Sequence, residues 1–121
     1  MLAKNDLVIE GALKSLEICK RHGIPVAYGT DLLGQLQVAQ SEEFTLRAQV
    51  LSPADIIRSA TTVGAQVVRM EGKIGCLKPG AFADLLVVDG NPLKNLKLFQ
   101  DQGQHLSVIM KGGRLHKNRL Q

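Results

Sequence analysis

The sequence predicts an α/β fold in which helices and one parallel-type strand come first and a small antiparallel sheet follows. Three observations carry that reading. A helix with one apolar face runs through a short turn into an apolar stretch, Ile24 to Tyr28, with no polar alternation. That is the pattern of a strand covered on both faces. Ser52-Pro53-Ala54-Asp55 is a strong second helix start. Beyond Met70 the turn residues crowd together, with short β-like runs between them. The shift near residue 70 divides the chain into a helical part, 1–70, and a sheet part, 71–121.

The first helix is expected to start at Asn5 and Asp6, whose side chains suit an N-cap, and to bury Ile9, Ala12, Leu13, Leu16 and Cys19. Lys20, Arg21 and His22 place cationic groups at the negative end of the dipole, Gly23 suits a left-handed C-cap, and Pro25 blocks continuation. Ile24 to Tyr28 reads as the strand, ending at Gly29-Thr30-Asp31, and Leu32 to Gln40 reads as a loop. Ser41 is expected to cap a helix through about Val50, with Glu42 and Glu43 in its first turn. After Leu51, Ser52 caps a helix with Pro53 at its first position, and Ile56, Ala60, Val63, Gly64 and Val67 share one face. Ala83 to Asp89 and Leu106 to Lys111 read as strands, Gly112-Gly113 as a hairpin turn, and Arg114 to Lys117 as the return.

These pieces do not close a layer architecture. A lone parallel strand leaves its backbone groups and both apolar faces without partners, and three short strands make only part of a sandwich. The chain therefore reads as the end of something larger.

Composition narrows the function classes. The 121 residues are 45% hydrophobic and 21% charged, with mean hydropathy near zero, which suits a packed domain rather than a disordered one. No run approaches the roughly 18 to 20 apolar residues of a membrane span, and the charged start has no signal-peptide core. No membrane partner is expected. Cys19 and Cys76 are far apart and form no Cys-x-x-Cys pair, so two free, buried thiols in a cytoplasmic, reducing setting are expected. The formal charge is +4, but Lys and Arg are spread along the chain and Tyr28, Phe44, Phe82 and Phe99 stand isolated. A nucleic-acid partner is not expected without a basic stacking surface.

Asp31 is the candidate functional residue. It lies directly beyond the apolar stretch, at the C-terminal end of a strand, where α/β folds place active sites. A carboxylate there can bind a divalent cation or act as a general base. Thr30-Asp31 can equally turn the chain or cap the next segment. His22, His105 and His116 form no His-x-His or His-x-x-x-His pair. Gly72-Lys73-Ile74-Gly75 and Lys78-Pro79-Gly80 read as turns rather than phosphate cradles, because no helix start follows them.

The order of segments resembles the metal-dependent amidohydrolases. Gly23-Ile24-Pro25-Val26-Ala27-Tyr28-Gly29-Thr30-Asp31 is similar to the family's final barrel strand. Leu51-Ser52-Pro53-Ala54-Asp55-Ile56-Ile57-Arg58-Ser59-Ala60-Thr61 resembles its closing helix. Gly72 to Gly80 and Ala83-Asp84-Leu85-Leu86-Val87-Val88-Asp89-Gly90-Asn91-Pro92-Leu93 resemble the turn and the strand that return to the family's small β-domain. Val108 to Arg114 is similar to its last hairpin. The texture is nearest the imidazolonepropionase-like and Xaa-Pro dipeptidase-like branch.

The resemblance implies a C-terminal fragment of a (β/α)8 barrel, its last strand and helices in 1–70, joined to part of a small antiparallel β-sandwich in 71–121. It implies hydrolysis of C–N bonds in a small-molecule substrate by a parent enzyme that uses one or two divalent ions, usually zinc. Of the family's ligands only the Asp after the eighth strand maps here, onto Asp31. Its implied roles are metal ligand and acceptor of the attacking water's proton. The family's His-x-His, its metal-bridging Lys and its other strand-end histidines have no counterpart. A catalytic zinc takes about three protein ligands plus water, so the isolated chain is expected to hold no metal tightly and to lack activity. Homo-oligomerisation or exchange of elements between copies is expected to cover its apolar surface. The rival reading is a non-catalytic binding or scaffold module derived from an amidohydrolase tail.

Overall fold

Leu2–Arg21 forms one 20-residue helix, α1. The structure, a computed structural model, describes residues 2–120, with side chains from Asp6 onward. The helix begins earlier than Asn5 and Asp6, so neither residue caps it; Leu2, Ala3 and Lys4 are good helix formers and extend it. The side chain of Asn5 lies outside the described residues. The C-terminus forms as its residues predict. Gly23 adopts φ +66°, and the Ile24 amide reaches back to the Cys19 carbonyl at 2.9 Å, which closes a Schellman turn.

No strand forms at 24–28. The segment runs without ladder partners, Ile24 is exposed, and its anchor is the Tyr28 amide donating to the Ser59 carbonyl at 2.9 Å. The cause is tertiary. A strand exists only against a neighbour, and none of the described strands lies beside this segment. The expected loop at 32–40 contains a six-residue 3-10 helix, Gly34–Ala39.

The second helix, α2, is Glu42–Arg47, shorter than expected. Ser41 is helical (φ −78°, ψ −9°) and makes no side-chain cap bond. Its hydroxyl therefore does not do the capping predicted for it, because an N-cap residue needs extended backbone. Ser52 does have that geometry, at φ −72° and ψ 152°. Its Oγ accepts from the Asp55 amide at 3.2 Å and donates to Asp55 Oδ2 at 2.7 Å, which starts α3, Pro53–Ala60. The expected continuation to Val67 breaks at Thr61 (φ −123°, ψ −91°), and α4 runs Thr62–Val67. Three successive β-branched residues, Thr61, Thr62 and Val63, weaken the helix there.

The sheet part holds β1 (Leu85–Val88), β2 (Leu106–Lys111) and β3 (Arg114–Asn118), antiparallel in the order β1-β2-β3. Gly112 and Gly113, at φ +57° and +79°, make the two-residue turn between β2 and β3, whose backbone twist suits a tight hairpin. Asp84 Oδ1 accepts from the Gly112 amide at 2.7 Å and fastens the turn to the start of β1. Two 3-10 turns, Leu96–Phe99 and Asp101–Gly103, connect β1 to β2.

Few apolar side chains are buried. Among the described residues the core is Ile56, Ala65, Leu96, Leu106 and Val108. Leu and Val residues along α1, the 3-10 helix at 34–39 and β1 remain exposed. No described helix is long and apolar enough to cross a membrane.

Candidate functional site

Asp31 follows the unpaired 24–28 segment with φ +52° and an exposed side chain. Asp tolerates this left-handed conformation better than most residues. Its neighbours Thr30 and Leu32 line a cleft of about 640 Å³ whose other walls include Glu42, Glu43, Gln100 and Asp101. Asp31 itself does not line this hollow, which α2 and the sheet connection help to build.

The segment leading to Asp31 is fixed by a group the sequence did not single out. Arg47, at the end of α2, is 5% exposed. Its Nε donates to Glu43 Oε1 at 2.7 Å and its Nη1 to the Ala27 carbonyl at 3.2 Å. The guanidinium carbon also stands 5.3 Å from the centre of the Tyr28 ring, within cation–π range. A buried Arg needs its donors satisfied, and the planar fork can serve a carboxylate and a carbonyl at once. The i,i+4 spacing of Glu43 and Arg47 was the available signal. It looks like an ordinary surface pair until the fold buries it.

Three of the four aromatic residues expected to stand isolated do not; Phe82 is exposed and, among the described residues, joins no aromatic pair. Tyr28 stacks on Phe44 at 4.5 Å between ring centres, and Phe44 on Phe99 at 4.6 Å. The Tyr28 hydroxyl donates to the Gln40 carbonyl at 2.5 Å. Burial, helped by the Glu43 charge and opposed by Arg47, pushes the Tyr28 phenol up to about 12. This stack and the Gln100 Nε2 bond to Thr45 Oγ1, at 2.9 Å, join the Asp31 approach and α2 to the turns before β2.

The histidines fall where nothing converges on Asp31. His22 is exposed at the end of α1, and His116 is exposed on β3. His105 stands 3.8 Å from the Asp101 carboxylate. Among the described residues no three His, Cys, Asp or Glu side chains come together as a metal site. Asp31 offers one carboxylate ligand, and a catalytic zinc takes about three protein ligands. These residues do not by themselves fit that ion. Cys19 and Cys76 are free and half-buried.

Comparison with known proteins identifies the class. Residues 1–115 match the Amidohydrolase family, and the chain belongs to that family. A crystal structure of an amidohydrolase is 53% identical with TM-score 0.87, covering 90% of this chain and 26% of that one. A prolidase complexed with N-methylphosphonate-L-proline is 43% identical with TM-score 0.82, covering 87% of this chain and 26% of that one. The ochratoxinase of Aspergillus niger is 28% identical over 116 residues, 95% of this chain and 24% of its own length. The chain thus spans about a quarter of the length of these relatives.

Proposed function

We propose that this chain supplies the C-terminal quarter of a metal-dependent hydrolase that cleaves C–N bonds in small-molecule substrates of the amide or dipeptide class. In this reading 1–70 forms the last barrel strand and its helices, and 71–121 forms part of a β-sandwich. Asp31 is then one ligand of a divalent ion, of which zinc is the expected one, and its carboxylate takes the proton of the attacking water. An ion bound by the complete ligand set would lower that water's pKa. The remaining ligands and the substrate pocket would come from other parts of a longer polypeptide.

The observation that carries the reading is the position of Asp31. It is exposed on a left-handed residue, immediately after a segment pinned by Arg47 and Ser59. A solvent-exposed carboxylate on a fixed backbone, between two residues that line a cleft, is placed to act without prior reorganisation. The relatives whose names describe prolidase and ochratoxinase activity support the C–N bond class. The prolidase favours a dipeptide-like substrate.

The test joins this chain to the first three quarters of a related amidohydrolase and measures hydrolysis of a prolyl dipeptide and bound zinc. Asp31→Asn should lower the rate by roughly a hundredfold to ten-thousandfold, as loss of a general base does, with circular dichroism unchanged. In the 121-residue chain alone the same substitution should leave zinc content and folding nearly unchanged. Hydrolysis unaffected by Asp31→Asn, or stoichiometric zinc in the isolated chain, would defeat the proposal. The first of these would leave the binding-module reading.

A further inference from the structure

Arg47 and Glu43 form the one ion pair among the described residues in which both side chains are withdrawn from water. Such a pair adds little net stability, because the desolvation of two charges offsets their attraction. What it supplies is geometry. The guanidinium is planar, so holding its Nε against Glu43 fixes where Nη1 points. It points to the Ala27 carbonyl, at 3.2 Å, a group that no described strand takes up in a ladder. The same guanidinium stands over the Tyr28 ring. Glu43, Phe44 and Arg47 all belong to α2, which therefore grips Ala27 and Tyr28, while the Ser59 carbonyl of α3 accepts from the Tyr28 amide.

Tyr28 in turn anchors the loop that carries Asp31. Its hydroxyl donates to the Gln40 carbonyl, 12 positions on, so one side chain ties the start of the loop to its end. Thr30 and Leu32, which line the cleft, lie between those ends, and Asp31 lies between the two. Compact surface loops closed at the base in this way are frequently functional. A further tie, Gln102 Nε2 donating to the Val38 carbonyl, holds the far part of the loop. Around Asp31 itself there is little packing. A Cβ on Gly29 would meet nothing within 4 Å, and the Asp31 side chain is exposed. Order at Asp31 is therefore inherited from the ends of the loop, and Tyr28 holds both.

We propose that Arg47, oriented by Glu43, is a positioning residue for Asp31. It holds Tyr28, the common anchor of both ends of the 28–40 loop, and through Tyr28 it holds the carboxylate in place. The inference rests on the reading of Asp31 as metal ligand and general base. Arg47 touches neither substrate nor ion in that reading. Without its grip the carboxylate spreads over positions from which it does not meet the attacking water, and misplacement of that kind slows chemistry more than it weakens binding. Lysine cannot stand in for it, because a single ammonium keeps the charge and loses the fork that serves Glu43 and Ala27 together.

The test has two arms. In the 121-residue chain, nitrogen-15 relaxation reads the order parameter of the Asp31 amide. The wild type should be ordered there, near about 0.85, and Arg47→Lys should lower the value below about 0.6, with α3 and the sheet unchanged. Glu43→Gln, which removes the orienting charge and keeps an acceptor, should fall between them. Arg58→Lys, in the exposed pair with Asp55, should leave Asp31 as in the wild type. In the chain joined to the first three quarters of a related amidohydrolase, Arg47→Lys should lower kcat for a prolyl dipeptide by roughly tenfold to a hundredfold, as loss of a group behind a ligand does, with KM within about twofold. An Arg47 that serves stability alone would shift the urea midpoint and leave Asp31 ordered in the folded variant, which overturns the proposal. A wild type already mobile at Asp31 overturns it too, and that result needs no variant to fold. Full kcat in Arg47→Lys beside an inactive Asp31→Asn overturns the positioning role and leaves the reading of Asp31 standing. Hydrolysis indifferent to Asp31→Asn overturns that reading, and the proposal with it.

Discussion

Tyr28 reports on the approach to Asp31. It is the only tyrosine and the chain has no tryptophan, so its absorbance can be followed without interference. Its phenol is raised from 10.0 to about 12 in the folded state, chiefly by burial. A group whose folded pKa is raised holds its proton more tightly when folded. Its contribution to stability is therefore complete below about pH 10 and is lost as pH rises toward 12. A spectrophotometric titration should show tyrosinate appearing near pH 12 in the native chain and near pH 10 in urea. Coincident midpoints would mean that the ring is not packed between Arg47 and Phe44. Arg47 is the other half of this arrangement. Shortening it would leave Glu43 and the Ala27 carbonyl without their shared donor, the kind of loss that costs about 3 kcal/mol when a part-buried pair is broken.

At the level of elements, the junction between α3 and α4 is locked by a glycine far away in sequence. A Cβ on Gly75 would lie 2.3 Å from the Thr61 carbonyl oxygen, and Gly75 has φ +68°. Gly112 has a similar φ of +57° but open space around it. Comparing the two separates backbone strain from collision. Gly112→Ala should cost about 1 kcal/mol, the left-handed penalty alone. Gly75→Ala should cost about 3 kcal/mol or more, because the carbonyl of Thr61 cannot yield without shifting the helix junction. Urea denaturation of both variants checks this; equal losses would show that the turn can move away from Thr61. The periodic elements were legible beforehand because their signals are local. Ser52, Pro53 and Asp55 lie within one turn of each other, and the Gly112-Gly113 hairpin needs only its own two residues. The helix expected to run through Thr61 breaks at its three β-branched residues, where the Gly75 backbone also comes close.

At the scale of the molecule, the five buried apolar residues among the described ones and the large surface describe a chain that folds without closing its core. An unfolded chain of this mass exposes roughly 19,000 Å². Folding to 8822 Å² thus buries about a fifth less than a compact domain of the same size would. The urea m-value follows the area exposed on unfolding. Measured at dilution where the chain is monomeric, it should fall about a fifth below that of compact domains of equal length. An m-value at or above theirs would show that the exposed faces pack together in solution. The chain belongs to the Amidohydrolase family and spans about a quarter of its relatives' length.

The amino-acid sequence by itself determined the C-terminus of α1, the start of α3, the hairpin and the order of helices before sheet, because each depends on neighbours a few positions apart. Tertiary structure decided the rest. It left 24–28 without a ladder, buried Arg47 against Ala27 and Tyr28, and stacked three aromatics distant in the chain. Those outcomes depend on which distant groups meet, and a side chain's desolvation or pairing is fixed only when its partners are in place.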